Sequence, residues 1–177
     1  MKPLEPPDAF HLRAAEGWLG LGDHESANQE LERISPQLRA HRDVLDVRYS
    51  VCAKAKNWDA AAEIGRMLVE LEPNQSFGWV NRSYALRRSS EGSVQAAYEA
   101  LRPGADRPLD DLEQVAFNLA CYACQLGRLD EAREWLAKAF SAAKSNRRIN
   151  QRKQEALDDS DLELLWGEIR DSNACGT

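Results

Sequence analysis

"LGRLDEAREWLAKAF", residues 126–140, reads as a glycine turn followed by an amphipathic helix with a small residue, Ala132, near its start. The same layout recurs in "KNWDAAAEIGRMLVELEP", residues 56–73, and in "LGDHESANQELERI", residues 21–34. The small residues that mark the pattern are Ala27, Ala61, Ala97 and Ala132, separated by 34, 36 and 35 residues. Such spacing is expected where antiparallel helices cross too closely for a larger side chain. Four positions further on stand Leu31, Leu101 and Leu136, whereas the second unit has Gly65, which predicts looser packing in that unit. A repeat of this period sets the expected fold class as all-α, with helical hairpins that bury their apolar stripes only by stacking on neighbours.

The stretch "VELEPNQSFGWVNRSYAL", residues 69–86, adds a proline, Pro73, that closes one unit and a tryptophan, Trp79, that opens the next. In the last unit Leu119, Ala120, Ala132, Leu136 and Ala139 fall at matching places, and Trp58 fills an aromatic slot after a turn. On these residues the chain resembles the tetratricopeptide repeat (TPR) family, as a stand-alone bacterial TPR protein, over residues 8–142. The resemblance implies an α-α superhelix of four units, at 8–36, 41–73, 75–103 and 111–143, followed by capping helices over 146–171. Helix signals place the pairs at 8–21 and 24–34, 40–55 and 58–71, 75–88 and 93–101, and 111–126 and 129–143. Leu162, Leu165 and Trp166 are expected to cover the open face of the last unit, with Ser160 capping a helix from Asp161 and "DSNACGT" as a frayed tail. Arg48 and Arg82 stand where a repeat usually carries Leu, so each is expected to snorkel to water or to join a ladder of ion pairs. The third unit is irregular: "RRSSEGS" lengthens its turn, and Pro103 and Gly104 end its second helix.

The first helices of TPR units line a concave surface. Carried over position by position, that surface would present Asp43, Asp46, Ser50, Ala53 and Lys54 from the second unit. Phe77, Val80, Tyr84, Arg87 and Arg88 would follow from the third, and Gln114, Phe117, Cys121, Cys124 and Gln125 from the fourth. The result is an acidic end, an aromatic centre and a flanking basic pair, which suits an extended or helical peptide with apolar anchors. The carboxylate clamp of heat-shock co-chaperones is not expected, because its lysine and asparagine positions in the first unit hold Leu12 and Glu16.

Cys121 and Cys124 form a C-x-x-C spacing, yet in mid-helix they lack the helix N-terminus that activates a redox pair. A zinc site needs two further ligands, and Cys52 and Cys175 are isolated while no histidine follows His41. Both are expected to be small apolar fillers. His11, His24 and His41 join no nucleophile or metal motif, and Gly17, Gly20 and Gly22 follow no strand, so no cofactor, metal or catalytic centre is expected. In "KSNRRINQRK", residues 144–153, Lys144, Arg148 and Arg152 share a helix face, expected to be solvated and paired with the acidic stretch from Glu155.

A net charge of −6 repels nucleic acid and anionic membranes, and no apolar run is long enough to span a bilayer. The first ten residues carry three prolines and no apolar run, so they read as no secretory signal, and cytoplasmic residence is expected. The expected function is a non-enzymatic adaptor that binds a protein or peptide, with homodimerisation kept open. The alternatives are a TPR chaperone of the type III secretion kind and a regulatory subunit that docks to an enzyme.

Overall fold

The computed structural model describes residues 3–174, and the side chains of 172–174 are outside that description. Helix, with the 3-10 segments, makes up 77% of the described residues and no strand occurs among them, so the fold is all-α as expected. The helices are α1 (Asp8–Gly20), α2 (His24–Arg33), α3 (Arg42–Lys54), α4 (Trp58–Leu71) and α5 (Ser76–Leu86). They continue as α6 (Val94–Leu101), α7 (Leu112–Gln125), α8 (Leu129–Ala142), α9 (Asn146–Asp158) and α10 (Trp166–Ala174).

Local chemistry explains where the helices begin. Asp23, Asn57, Ser93, Asp111 and Ser145 each accept a hydrogen bond from the backbone N–H three residues on, which starts α2, α4, α6, α7 and α9. Each such cap is worth about 1 kcal/mol. The turns inside three hairpins share one geometry. Asp23 N–H donates to Trp18 O, Asn57 N–H to Cys52 O and Arg128 N–H to Ala123 O, a bond that spans six residues and closes the preceding helix. The residue before each of those donors has positive φ: Gly22 at 84°, Lys56 at 56° and Gly127 at 73°. Only Lys56 lacks the glycine that such a backbone favours.

Consecutive helices pack on one another, and α1 also touches α3 while α5 touches α7. The four marker alanines Ala27, Ala61, Ala97 and Ala132 are completely buried, as the crossing argument requires. The core runs through the molecule in three clusters. One centres on Leu31, Ile34 and Val44, one on Leu45, Tyr49 and Leu68, and the largest on Leu101, Leu119, Leu136, Leu162 and Leu165.

Gly65 does the opposite of what its size suggests. A Cβ there would come within 2.7 Å of the Arg82 Cα, and a Cβ on Gly78 within 2.9 Å of the Val69 nitrogen. The missing side chains let α4 and α5 approach backbone to backbone, so the packing is tighter rather than looser. Arg48 snorkels to the rim, where it meets Glu32 at 2.7 Å. Arg82 is half-buried and makes no ion pair among the described residues, so the two arginines form no ladder of equivalent pairs.

After α9 the chain turns at Asp159, which accepts from the Asp161 N–H, into a 3-10 segment over Ser160–Leu165. Asp159, not Ser160, is therefore the cap, and the following α-helix starts at Trp166. Leu162 and Leu165 are buried as expected, and half-buried Trp166 donates its Nε1–H to the Ala156 and Asp159 carbonyls. Residues 171–174, expected to fray, are the last turn of α10, and the rest of that tail lies outside the described residues.

Candidate partner-binding face

The residues assigned to a concave surface divide into an open part on α3 and α5 and a covered part on α7. On α3, Arg42 bridges Asp46 at 2.7 Å and Glu72 at 2.7 Å, and its guanidinium lies 6.0 Å from the Phe77 ring. Asp46 is mostly buried, and its Oδ1 has no hydrogen-bond partner among the described residues. Burial, helped by the nearby Asp43 and Glu72 carboxylates and opposed by Arg42, pushes the Asp46 carboxyl up to about 6. Asp43 is half-exposed beside it, and Ser50 donates its hydroxyl to the Asp46 carbonyl.

Phe77 is 38% exposed and packs edge-on against Tyr49, whose hydroxyl donates to the Asn81 carbonyl at 2.9 Å. Burial holds the Tyr49 hydroxyl above its usual range, so it stays a donor at neutral pH. One to two turns further along α5, Tyr84 is 43% exposed and packs edge-on on Trp58. The Arg88 guanidinium lies 3.5 Å from the Tyr84 centroid and 5.6 Å from that of Trp58. Val80, between Phe77 and Tyr84 in sequence, is half-buried against the largest core cluster, and Lys54 stands exposed at the end of α3. The open face therefore carries rigid aromatic edges between an acidic group and cationic groups.

The α7 part is occupied by the chain itself. Phe117 is 6% exposed, with the Arg152 guanidinium 4.5 Å from its ring centroid. Gln114 accepts from Arg152 at 3.1 Å and donates to Asn118. Arg87 holds Asp161 through two hydrogen bonds, one of 3.1 Å, and Gln125 donates to the same carboxylate. Cys121 donates its thiol to Asp159 at 3.5 Å. Burial pushes that thiol well above its ordinary range, with Asp159 and Asp161 adding to the effect, and burial also raises Cys124. Both are buried free thiols held in the protonated, unreactive form.

The basic run accounts for much of this cover. Arg148 and Arg152 meet Glu113 on α7 at 2.7 and 2.8 Å, and both also pair with Glu155. The expected pairing with Glu155 is present, and Lys144 is exposed and Arg148 half-buried, but Arg152, expected to be solvated, is buried where it meets Glu113 and Gln114 on α7. The sequence reading also omitted Arg42 and Trp58 from the open face. The i,i+4 spacing of Arg42 and Asp46 was the available signal for the first. Trp58 begins a second helix, and nothing local tells that its ring reaches Tyr84.

A cleft of about 460 Å³ lies elsewhere, between the start of α7 and Lys144 and Arg148. Its acids are already engaged: Asp110 accepts from the Ser76 N–H, Asp111 caps α7, and Glu113 pairs with the two arginines. Among the described residues no group of three His, Cys, Asp or Glu side chains is placed to hold a metal ion, and no helix is long and apolar enough to cross a membrane. Comparison with family models and with curated proteins returns no match for the chain.

Proposed function

We propose that α1–α8 form four TPR-like hairpins in a superhelical stack and that the chain is a non-enzymatic protein–protein adaptor. Its ligand is a peptide segment, extended or helical, laid across α3 and α5. One observation carries the reading: Phe77 and Tyr84 stand exposed and braced by Tyr49, Trp58 and Arg88, between Asp43/Asp46 at one end and Lys54/Arg88 at the other. Exposed aromatics held by packing give contact area at low entropic cost, which is what an anchor site needs. The flanking charges select a ligand with an apolar anchor between a cationic and an anionic residue. Half-exposed Asp43 is the acid at that end that a ligand's cation can reach, since Asp46 is mostly buried and bridged by Arg42.

Selection from a random 12-residue peptide library tests this reading. The wild type should enrich peptides that place a basic residue, an aromatic or aliphatic residue and an acidic residue in that order or its reverse. Phe77→Ala/Tyr84→Ala should lose the enrichment, about tenfold or more in affinity, with an unchanged helical CD spectrum. Peptides that bind the double variant equally well would remove the α3–α5 face from consideration. Phe117 is unsuitable for the same test, because truncating a buried ring costs about 3–5 kcal/mol of stability.

A further inference from the structure

The open face has a direction. Arg42, at the start of α3, lies by the Phe77 ring at the start of α5, and Tyr49 further along α3 donates to the Asn81 carbonyl. Trp58, just past the end of α3, packs on Tyr84 near the end of α5. The two helices therefore run side by side in the same sense. At their starts, Asp43, Asp46 and Glu72 surround the single Arg42 guanidinium at 3.7, 2.7 and 2.7 Å, which leaves that end acidic. At their ends, exposed Lys54 and Arg88 have no carboxylate within ion-pair distance among the described residues.

The spacing of the rings is a second constraint. Phe77 and Tyr84 are seven residues apart, which places them on one side of α5 and about 10.5 Å apart along its axis. Residues i and i+7 of a helical ligand repeat both the distance and the side. In an extended strand, residues on one side are about 6.7 or 13.4 Å apart, and either spacing misses one ring. A polyproline II segment comes closer, at about 9.3 Å for i and i+3, but it leaves its backbone groups unpaired. Ser50, beside the rings on α3, already donates to the Asp46 carbonyl, whereas a helix satisfies its own backbone.

We infer that the partner of this face is an amphipathic α-helix running antiparallel to α3 and α5, with acids in its first turn, apolar anchors at i and i+7, and bases in its last turn. This rests on the peptide reading and deepens it. The antiparallel direction puts the ligand's acids at its own N-terminus, over Lys54 and Arg88, and its bases at its own C-terminus, over Asp43. Each charge then favours both the contact and the ligand's own macrodipole. Run the other way, the same contacts would set every ligand charge against that dipole. The first anchor meets Tyr84 and the second Phe77. Arg88 follows Tyr84 by four residues, so the acids precede the first anchor by about one turn.

Fluorescence anisotropy with synthetic peptides of about 18 residues, titrated with the intact chain, tests this. The probe carries glutamates in its first turn, leucines at i and i+7 and lysines in its last turn, with alanine and glutamine elsewhere. It should bind the wild type and lose at least about tenfold in affinity to Phe77→Ala/Tyr84→Ala. Moving the second leucine to i+5 turns it about 140° round the peptide and should also cost about tenfold or more, as should a central proline. In the complex, a nitroxide on the peptide's N-terminus should broaden the amide resonances of Lys54 and Arg88 and spare those of Asp43 and Phe77. Equal affinity for the i+5 or proline peptide overturns the inference, as does broadening centred on Asp43 or a probe that does not bind. The peptide reading fails separately, when no peptide selected from the random library depends on Phe77 and Tyr84.

Discussion

At the C-terminal end of the molecule, Leu162, Leu165 and Ile169 bury 96% or more of their surface, and Arg87, Gln125 and Cys121 hold Asp161 and Asp159. At the N-terminal end, α1 leaves Phe10, Trp18 and Leu21 in contact with solvent. Each end presents apolar helix surface, and the described residues cover the two ends differently. One end is closed within the chain, by a 3-10 segment and two helices that follow the last pair. The other has only a few described residues before α1, among which Leu4 packs into the first core cluster. Closure at the C-terminal end also takes the α7 part of the shared face, which leaves α3 and α5 as the open part. The distribution of cover, more than the repeat itself, thus decides which part of that face is open to solvent.

The contrast can be broken most forcefully at Leu162. Leu162→Ala removes a fully buried side chain from the largest core cluster and should cost about 2–5 kcal/mol in urea unfolding, whereas Leu21→Ala at the other end should change stability by less than about 0.5 kcal/mol. Comparable losses at the two sites would mean that the C-terminal segment does not seal the stack. Next come the two glycines. Gly65→Ala forces a Cβ onto the Arg82 backbone and should destabilise by about 1–3 kcal/mol, while Gly17→Ala meets open space and should stabilise by about 0.5–1 kcal/mol. Equal effects would contradict the close approach of α4 and α5.

A pH series sharpens the difference between the open and covered parts of the face. The folded protein raises the Asp46 carboxyl to about 6, so the fold binds its proton more tightly than the unfolded chain does. The contribution of this group is therefore fully present below about pH 4 and is lost as pH rises through 6. Asp46→Asn removes that loss, and its stability relative to wild type should rise by on the order of 1 kcal/mol between pH 4 and 7, after allowing for solvent screening. A difference that stays flat with pH would place Asp46 in ordinary solvent. The smallest expected effect is at a turn: Lys56→Gly relieves positive φ and should gain about 0.5–1 kcal/mol, against a loss of similar size for Gly22→Ala.

Much of the helical frame was legible from residue spacing. The marker alanines are all fully buried, and every helix of α1–α8 begins and ends within two residues of its expected limits. Local signals sufficed because helix starts depend on capping side chains and helix ends on turn residues, both of which sit in the sequence next to what they control. Gly65 was misread for the opposite reason. Its effect depends on Arg82, seventeen residues away on another helix, and a small residue alone does not tell whether space is empty or filled by backbone. The assignment of Gln114, Phe117 and Cys121 to an accessible surface met the same limit. Their cover comes from Arg152, Asp159 and the 3-10 segment, whose docking onto α7 is a long-range event. The four-residue spacing of Lys144, Arg148 and Arg152 was the visible trace of that docking, and Glu113 was its complement.

Amide chemical-shift mapping tests the division between open and covered surface most directly. A peptide selected on the wild type is titrated into the isotope-labelled intact chain. Shifts should concentrate at Asp43, Asp46, Phe77, Tyr84 and Arg88 and leave Phe117, Cys121 and residues 159–169 unmoved. Shifts centred on α7, with the resonances of residues 159–169 moving toward unfolded positions, would contradict the account.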